Sequence, residues 1–125
     1  MHLFLFRQIF DLKGLTPLIK SNLNEFPKGW FLGNFEPSML RNSDFEVAIK
    51  RMKAGTREPM HYQKEAVEFT VVISGRCILG GIECNPDDIL QIDPWEAAEF
   101  EALEDCVLLA VKSPSMPADK VEGSP

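Results

Sequence analysis

An imidazole, a carboxamide and a carboxylate lie close together in this chain as His61, Gln63 and Glu68. His61 and Gln63 share a parity, so on a strand both side chains leave from the same face. Glu68 falls in the apolar run Val67–Ile73, which reads as a second strand ending at the turn Ser74-Gly75. Adjacent strands that bring the three positions together would gather them in one cavity. There, His61 and Glu68 suit a divalent metal ion that polarises a substrate or activates water. Without a metal, the same two groups make an acid–base pair. They also suit the binding of a small organic ligand. Gln63 is a poor metal ligand because its amide oxygen is neutral; it is better fitted to orient Glu68 or a bound molecule. A buried Glu68 needs a counterpart: a metal, Arg57, Lys64, another cation, or its own proton. Against this stands the plainer reading of a lone strand histidine as a hydrogen-bonded structural residue. Arg57 and Glu58 read as exposed loop charges.

The elements that must position these groups are short strands. Alternation and apolar runs predict strands near residues 44–53, 59–64, 66–73, 76–79, 82–84, 88–92, 97–101 and 106–112, with a shorter one at Trp30–Leu32. Turn signals separate them: Ala54-Gly55, Ser74-Gly75, Gly80-Gly81, Asn85 to Asp88, Asp93-Pro94 and Glu104-Asp105. Residues 1–20 carry mixed signals for a strand or a short helix, and the stretch from Leu23 reads as an irregular lead-in. Many short strands without a convincing long helix predict an all-β antiparallel barrel or jelly roll. The tail 113–125, with its prolines, reads as an extended or disordered arm.

Parity adds a prediction for each face. In 44–53, Phe45, Val47 and Ile49 alternate with Glu46, Ala48 and Lys50, which predicts a half-buried strand with the second set on the wet side. In 67–73 both faces are largely apolar. The face away from Glu68 then requires cover, from the N-terminal segment or from a second subunit.

Composition narrows the function classes. The chain has 125 residues with 45% apolar content, enough for one domain and one core, and no apolar run approaches a membrane span. Met1 to Arg7 is too short for a signal peptide and lacks a small-residue cleavage site, so a cytoplasmic location is expected. The net charge of −6 is uneven. Residues 1–64 carry ten Lys/Arg against six Asp/Glu, and residues 65–125 carry three against thirteen. An acidic chain without a basic aromatic stripe argues against nucleic-acid binding. Three cysteines, Cys77, Cys84 and Cys106, cannot all pair, and the Cys77–Cys84 spacing is not that of a zinc site. Those two can face each other across a hairpin at Gly80-Gly81, and free, partly buried thiols are the expectation.

The stretch Gly55–Gly75 resembles the first conserved motif of the cupin superfamily. Gly55, His61, Glu68 and Gly75 fall on the pattern, while Gln63 stands where the family has its second histidine. The second motif is not matched: aligned on Asp88 to Pro94, its glycine position is Asp87, its Pro-x-Gly falls on Asp93 and Trp95, its histidine on Ala98 and its asparagine on Ala102. The resemblance implies a cupin-type double-stranded β-helix, an antiparallel jelly-roll barrel. The domain would span 1–112, with lead-in 1–40, barrel core 41–112 and the arm 113–125 beyond. It implies a divalent ion (Fe, Mn, Ni or Zn) on His61, Gln63 and Glu68. From their positions, Glu96 and Glu101 are the candidates to substitute for the missing ligand, and strand parity favours Glu96. The resemblance also favours a homodimer. Trp95 would close the barrel mouth over a small-molecule ligand or cap the core, so the expected ligand contacts are His61, Gln63, Glu68 and Trp95. A site reduced to one histidine and one carboxylate holds any divalent ion weakly. That favours a ligand-binding barrel over the alternative, a metal-dependent oxygenase, isomerase or lyase.

Overall fold

Turn residues cut the chain into short extended pieces, and nearly all of them pair antiparallel in a computed structural model that describes residues 18–125. Expectations that concern residues 1–17 lie outside the described residues. Two 3-10 turns, Leu23–Glu25 and Pro27–Gly29, lead into β1 (Trp30–Leu32). Then follow β2 (Glu46–Met52), β3 (Arg57–Gln63), β4 (Val67–Ser74), β5 (Cys77–Leu79), β6 (Ile82–Cys84), β7 (Ile89–Ile92), β8 (Ala98–Ala102), β9 (Cys106–Ser113) and β10 (Lys120–Glu122). They form two five-stranded sheets, ordered β1-β2-β9-β4-β7 and β10-β3-β8-β5-β6. The predicted all-β jelly roll is the observed architecture. Arg57 and Glu58 are not loop charges: they open β3, where Arg57 pairs with Glu101 at 3.1 Å and Glu58 faces Lys50 at 3.8 Å.

Two glycine turns show why the punctuation works. Gly80 and Gly81, at φ 59° and 77°, close the two-residue β5–β6 hairpin in the left-handed conformations that such a turn demands. Gly75, at φ 81°, lies so close to the Asp105 carbonyl that a Cβ would collide with it.

The register fixes what faces inward. Across β2, β9 and β4 the rows read Glu46–Lys112–Glu68, then Ala48–Ala110–Thr70, then Lys50–Leu108–Val72. Ala48 and Glu46 are among the most buried residues of β2, while Val47 and Ile49 are only half-buried. The parity expected for this strand is therefore inverted: Glu46, Ala48 and Lys50 face the interior. The reason is that the barrel is not filled at this end. Charged groups can point inward because they face one another across a cavity.

At the other end the two sheets close on a dry core. Val72 and Leu108 from one sheet pack with Cys77, Leu79 and Phe100 from the other. The three thiols are free and buried, with Cys77 directly opposite Cys84. Burial pushes the Cys77 thiol up to about 12. The tail is ordered: β10 pairs with β3, and the Asp119 carboxylate accepts hydrogen bonds from the N–H groups of Lys64, Glu65 and Ala66 at 3.1, 2.9 and 2.9 Å. Among the described residues no helix is long and apolar enough to cross a membrane.

Candidate ligand-binding cavity

The open end of the barrel encloses a cavity of about 930 Å³ whose walls include His61, Gln63, Glu68, Glu46, Lys50 and Lys112. An irregularity in the β3–β8 register between Glu58 and His61 precedes the two inward side chains of β3. Glu68 and Thr70 come from β4, and Lys112 from the end of β9. Of the row Ala48–Ala110–Thr70, the small side chains of Ala110 and Thr70 line the cavity.

Glu68 has only about 8% of its surface exposed, and its carboxylate is hydrogen-bonded. Thr70 Oγ1 donates to it at 2.9 Å and Gln63 Nε2 at 3.5 Å. Its cationic counterpart is neither Arg57 nor Lys64 but Lys112, whose Nζ lies 3.9 Å away. Burial pushes the Lys112 ammonium below its ordinary range, against the opposing pull of Glu68 and Glu46. The same Nζ sits 5.0 Å from the centre of the Trp30 ring, and Lys50 Nζ sits 5.6 Å from that ring. Glu46 accepts a hydrogen bond from Ser115 Oγ at 3.3 Å, which ties the tail to the cavity wall.

His61 is held through Nδ1, which lies 3.1 Å from the Pro59 carbonyl oxygen. A carbonyl only accepts, so Nδ1 carries the proton and Nε2 of the neutral ring keeps its lone pair. Burial lowers the His61 pKa first of all, with Lys120 and Lys112 adding to it. The ring is thus neutral at pH 7, an acceptor and a base.

Three of the residues singled out from sequence, His61, Gln63 and Glu68, meet in this cavity; Trp95 does not. Trp95 sits in the turn before β8 at φ 70°, 54% exposed, stacked on Tyr62 with ring centroids 5.5 Å apart. Tyr62 has the opposite parity to His61 and Gln63, so the pair lies on the far side of β3 from the cavity, with Tyr62 buried and Trp95 exposed over it. Glu96 is exposed in the same turn and does not line the cavity. The strand expected at 97–101 begins only at Ala98, so parity counted back to Glu96 has no strand to act on. The position nearest to His61 on the neighbouring strand is Ala98, which pairs with it and offers no donor atom.

Sequence reasoning missed Glu46, Lys50, Lys112 and Trp30. One signal was available: Lys112 shares the parity of Cys106, Leu108 and Ala110, the buried set of β9. These residues do not fit a divalent ion. Among the described residues no group of three or more His, Cys, Asp or Glu side chains is placed to share one. Gln63 is neutral, Ala98 is inert, and the side chain across from Glu68 on β9 is itself a cation.

No family model matches the chain. No curated protein matches it either. Solved structures do. A conserved double-stranded β-helix protein from Klebsiella pneumoniae is similar at 19% identity and TM-score 0.61, over 70% of this chain and 81% of its own. KdgF from Halomonas sp. is similar at 19% identity and TM-score 0.56, over 60% of this chain and 73% of its own. The bacterial pirin YhhW from Escherichia coli, solved in complex with nickel(II), is similar at 18% identity and TM-score 0.60, over 70% of this chain and 39% of its own. Together with the Gly55–Gly75 motif, these likenesses identify the architecture: the chain has the fold of the cupin superfamily, a double-stranded β-helix.

Proposed function

We propose that the barrel binds a small organic molecule in this cavity and does so without a tightly held divalent ion. One observation carries the reading: the positions that would supply further donors are the neutral Gln63 and the inert Ala98, while the charge beside Glu68 is the cation Lys112, set between Glu46 and Glu68. The cavity has the size and mixed lining of a small-molecule site, polar at its wall and apolar at its base through Leu79, Phe100 and Leu108. His61 Nε2 offers an acceptor, and the lysines offer donors.

A metal-dependent enzyme acting on a small organic molecule is the second reading. The ring of His61 favours it, because Nδ1 bound to a carbonyl is the arrangement that presents Nε2 to a metal. It draws further support from the nickel(II) held by the pirin. It needs donors beyond His61 and Glu68, which the described residues do not bring. Assembly as a homodimer is part of the proposal, supported by the exposed Ile73 and Ile89 on the outer side of β4 and β7. Sedimentation velocity tests it, and a monomer at all concentrations removes it.

Metal analysis of untagged protein by mass spectrometry separates the two functional readings. Substoichiometric metal, unchanged in His61→Ala and Glu68→Ala, is the expected result. Near-stoichiometric Fe, Mn, Ni or Zn that disappears in both variants overturns it in favour of the enzyme.

A further inference from the structure

The carboxylates and the ammonium groups of this cavity are satisfied unequally. Glu68 accepts from Thr70 and Gln63, and Glu46 accepts from Ser115. Lys50 and Lys112 make no direct hydrogen bond among the described residues: their nearest carboxylate oxygens stand at 3.8 and 3.9 Å. Yet both side chains are largely buried, 21% and 14% exposed. Each ammonium carries three N–H donors, and buried donors left unmatched are costly. Both line the cavity, and both are held against one Trp30 ring. Two like charges gathered around one ring repel each other, and Lys50 contributes to lowering the Lys112 pKa. An anion placed between them removes that repulsion and accepts the spare donors through charge-assisted bonds, the strongest kind open to them.

We infer that the ligand of this cavity is an organic oxyanion, whose carboxylate or phosphate group seats between Lys50 and Lys112 beside Trp30. The inference rests on the small-molecule reading above and names the chemical class of its ligand. His61 and Gln63, across the cavity, then face the rest of the molecule. Glu58 flanks Lys50, and Glu46 and Glu68 flank Lys112, but the ion-pair distances of 3.8 and 3.9 Å are beyond hydrogen-bond reach, so the ammonium donors stay open to a ligand.

The test follows Trp30 fluorescence in Trp95→Phe protein, which leaves Trp30 as the reporter and alters only the outer stack on Tyr62. The probes are malonate, inorganic phosphate and the neutral malonamide, titrated at constant ionic strength. Saturable quenching by malonate or phosphate and not by malonamide is expected, and which of the two anions binds tells a carboxylate from a phosphate ligand. Lys50→Met and Lys112→Met should each weaken that binding about tenfold or more. Lys50→Met guards against a folding failure of Lys112→Met, and circular dichroism checks both. Equal binding of malonamide and malonate, or anion binding unchanged in both folded variants, overturns the oxyanion and leaves the cavity as a small-molecule site. Absence of saturable binding by all three probes overturns the oxyanion and the cavity reading together.

Discussion

Asp119→Ala should unlatch the tail from the hairpin that carries Gln63 and Glu68. The Asp119 carboxylate is 7% exposed and takes three backbone N–H groups, those of Lys64, Glu65 and Ala66. Lys64 and Glu65 are exposed, so water replaces the lost acceptor there, and each bond is worth about 0.5–1 kcal/mol. Ala66 is 1% exposed, and its orphaned N–H forfeits about 1.5–3 kcal/mol. The sum is about 2.5–5 kcal/mol at pH 7, or a Tm lower by about 10–20 °C for a domain of this size. Urea unfolding followed by tryptophan fluorescence measures it. The pH dependence is a second signature. Burial alone would raise the Asp119 pKa, but the three N–H bonds and Lys64 outweigh it and hold the carboxyl below its ordinary range. A depressed folded-state pKa gives stability that is full above the unfolded value of about 3.9 and is lost as pH falls through the folded value. The gap between wild type and Asp119→Ala should therefore narrow in acid. A loss under about 0.5 kcal/mol at pH 7, or one that does not narrow with acid, refutes the latch.

Three further outcomes are expected. His61 should titrate by NMR below its ordinary 6.5 with the proton on Nδ1; because its folded pKa is depressed, stability is full above 6.5 and declines as pH falls through the folded value. A titration at or above 6.5 contradicts the buried neutral ring. Gln63→His combined with Ala98→His supplies imidazoles on either side of His61 and should bring near-stoichiometric Ni or Zn, read by calorimetry, where each single variant binds far less; no binding by the double variant means that the strands do not hold these positions at ligating distance. Ellman's reagent should label none of Cys77, Cys84 and Cys106 in the native protein and all three in denaturant, since burial suppresses the thiolates; fast native labelling points to an open hairpin at β5–β6.

The strands, their turns and the meeting of His61, Gln63 and Glu68 were legible because period-two alternation and glycine turns are local signals. The interior charges were not. Parity on β2 assigns the polar set to water, and that rule holds only for a filled core. Here Glu46 points inward opposite Lys112, on a strand about 60 residues further along the chain, and Lys50 points inward opposite Leu108 with Glu58 at 3.8 Å. Lys112 itself ends an apolar strand and looks like the polar stop of β9. Trp95 fell in the Pro-x-Gly of the second motif and near a predicted strand, yet the turn delivers it to the outer surface. The tail's prolines left an extended or a disordered arm open; β10 pairing with β3, Ser115 on Glu46 and Asp119 on three amides hold it in place.

The cross-strand row Glu46–Lys112–Glu68 has one more consequence. A barrel balanced by an ion from solution depends on supply: chelators empty it, and a competing ion can take the seat. An ammonium grown from the backbone is present from the moment the chain is made. Its anionic neighbours have a counter-charge whenever the ammonium is protonated, whatever ions the medium holds. The same tether denies the pocket the variety that exchangeable ions confer, because a lysine cannot be swapped for another cation.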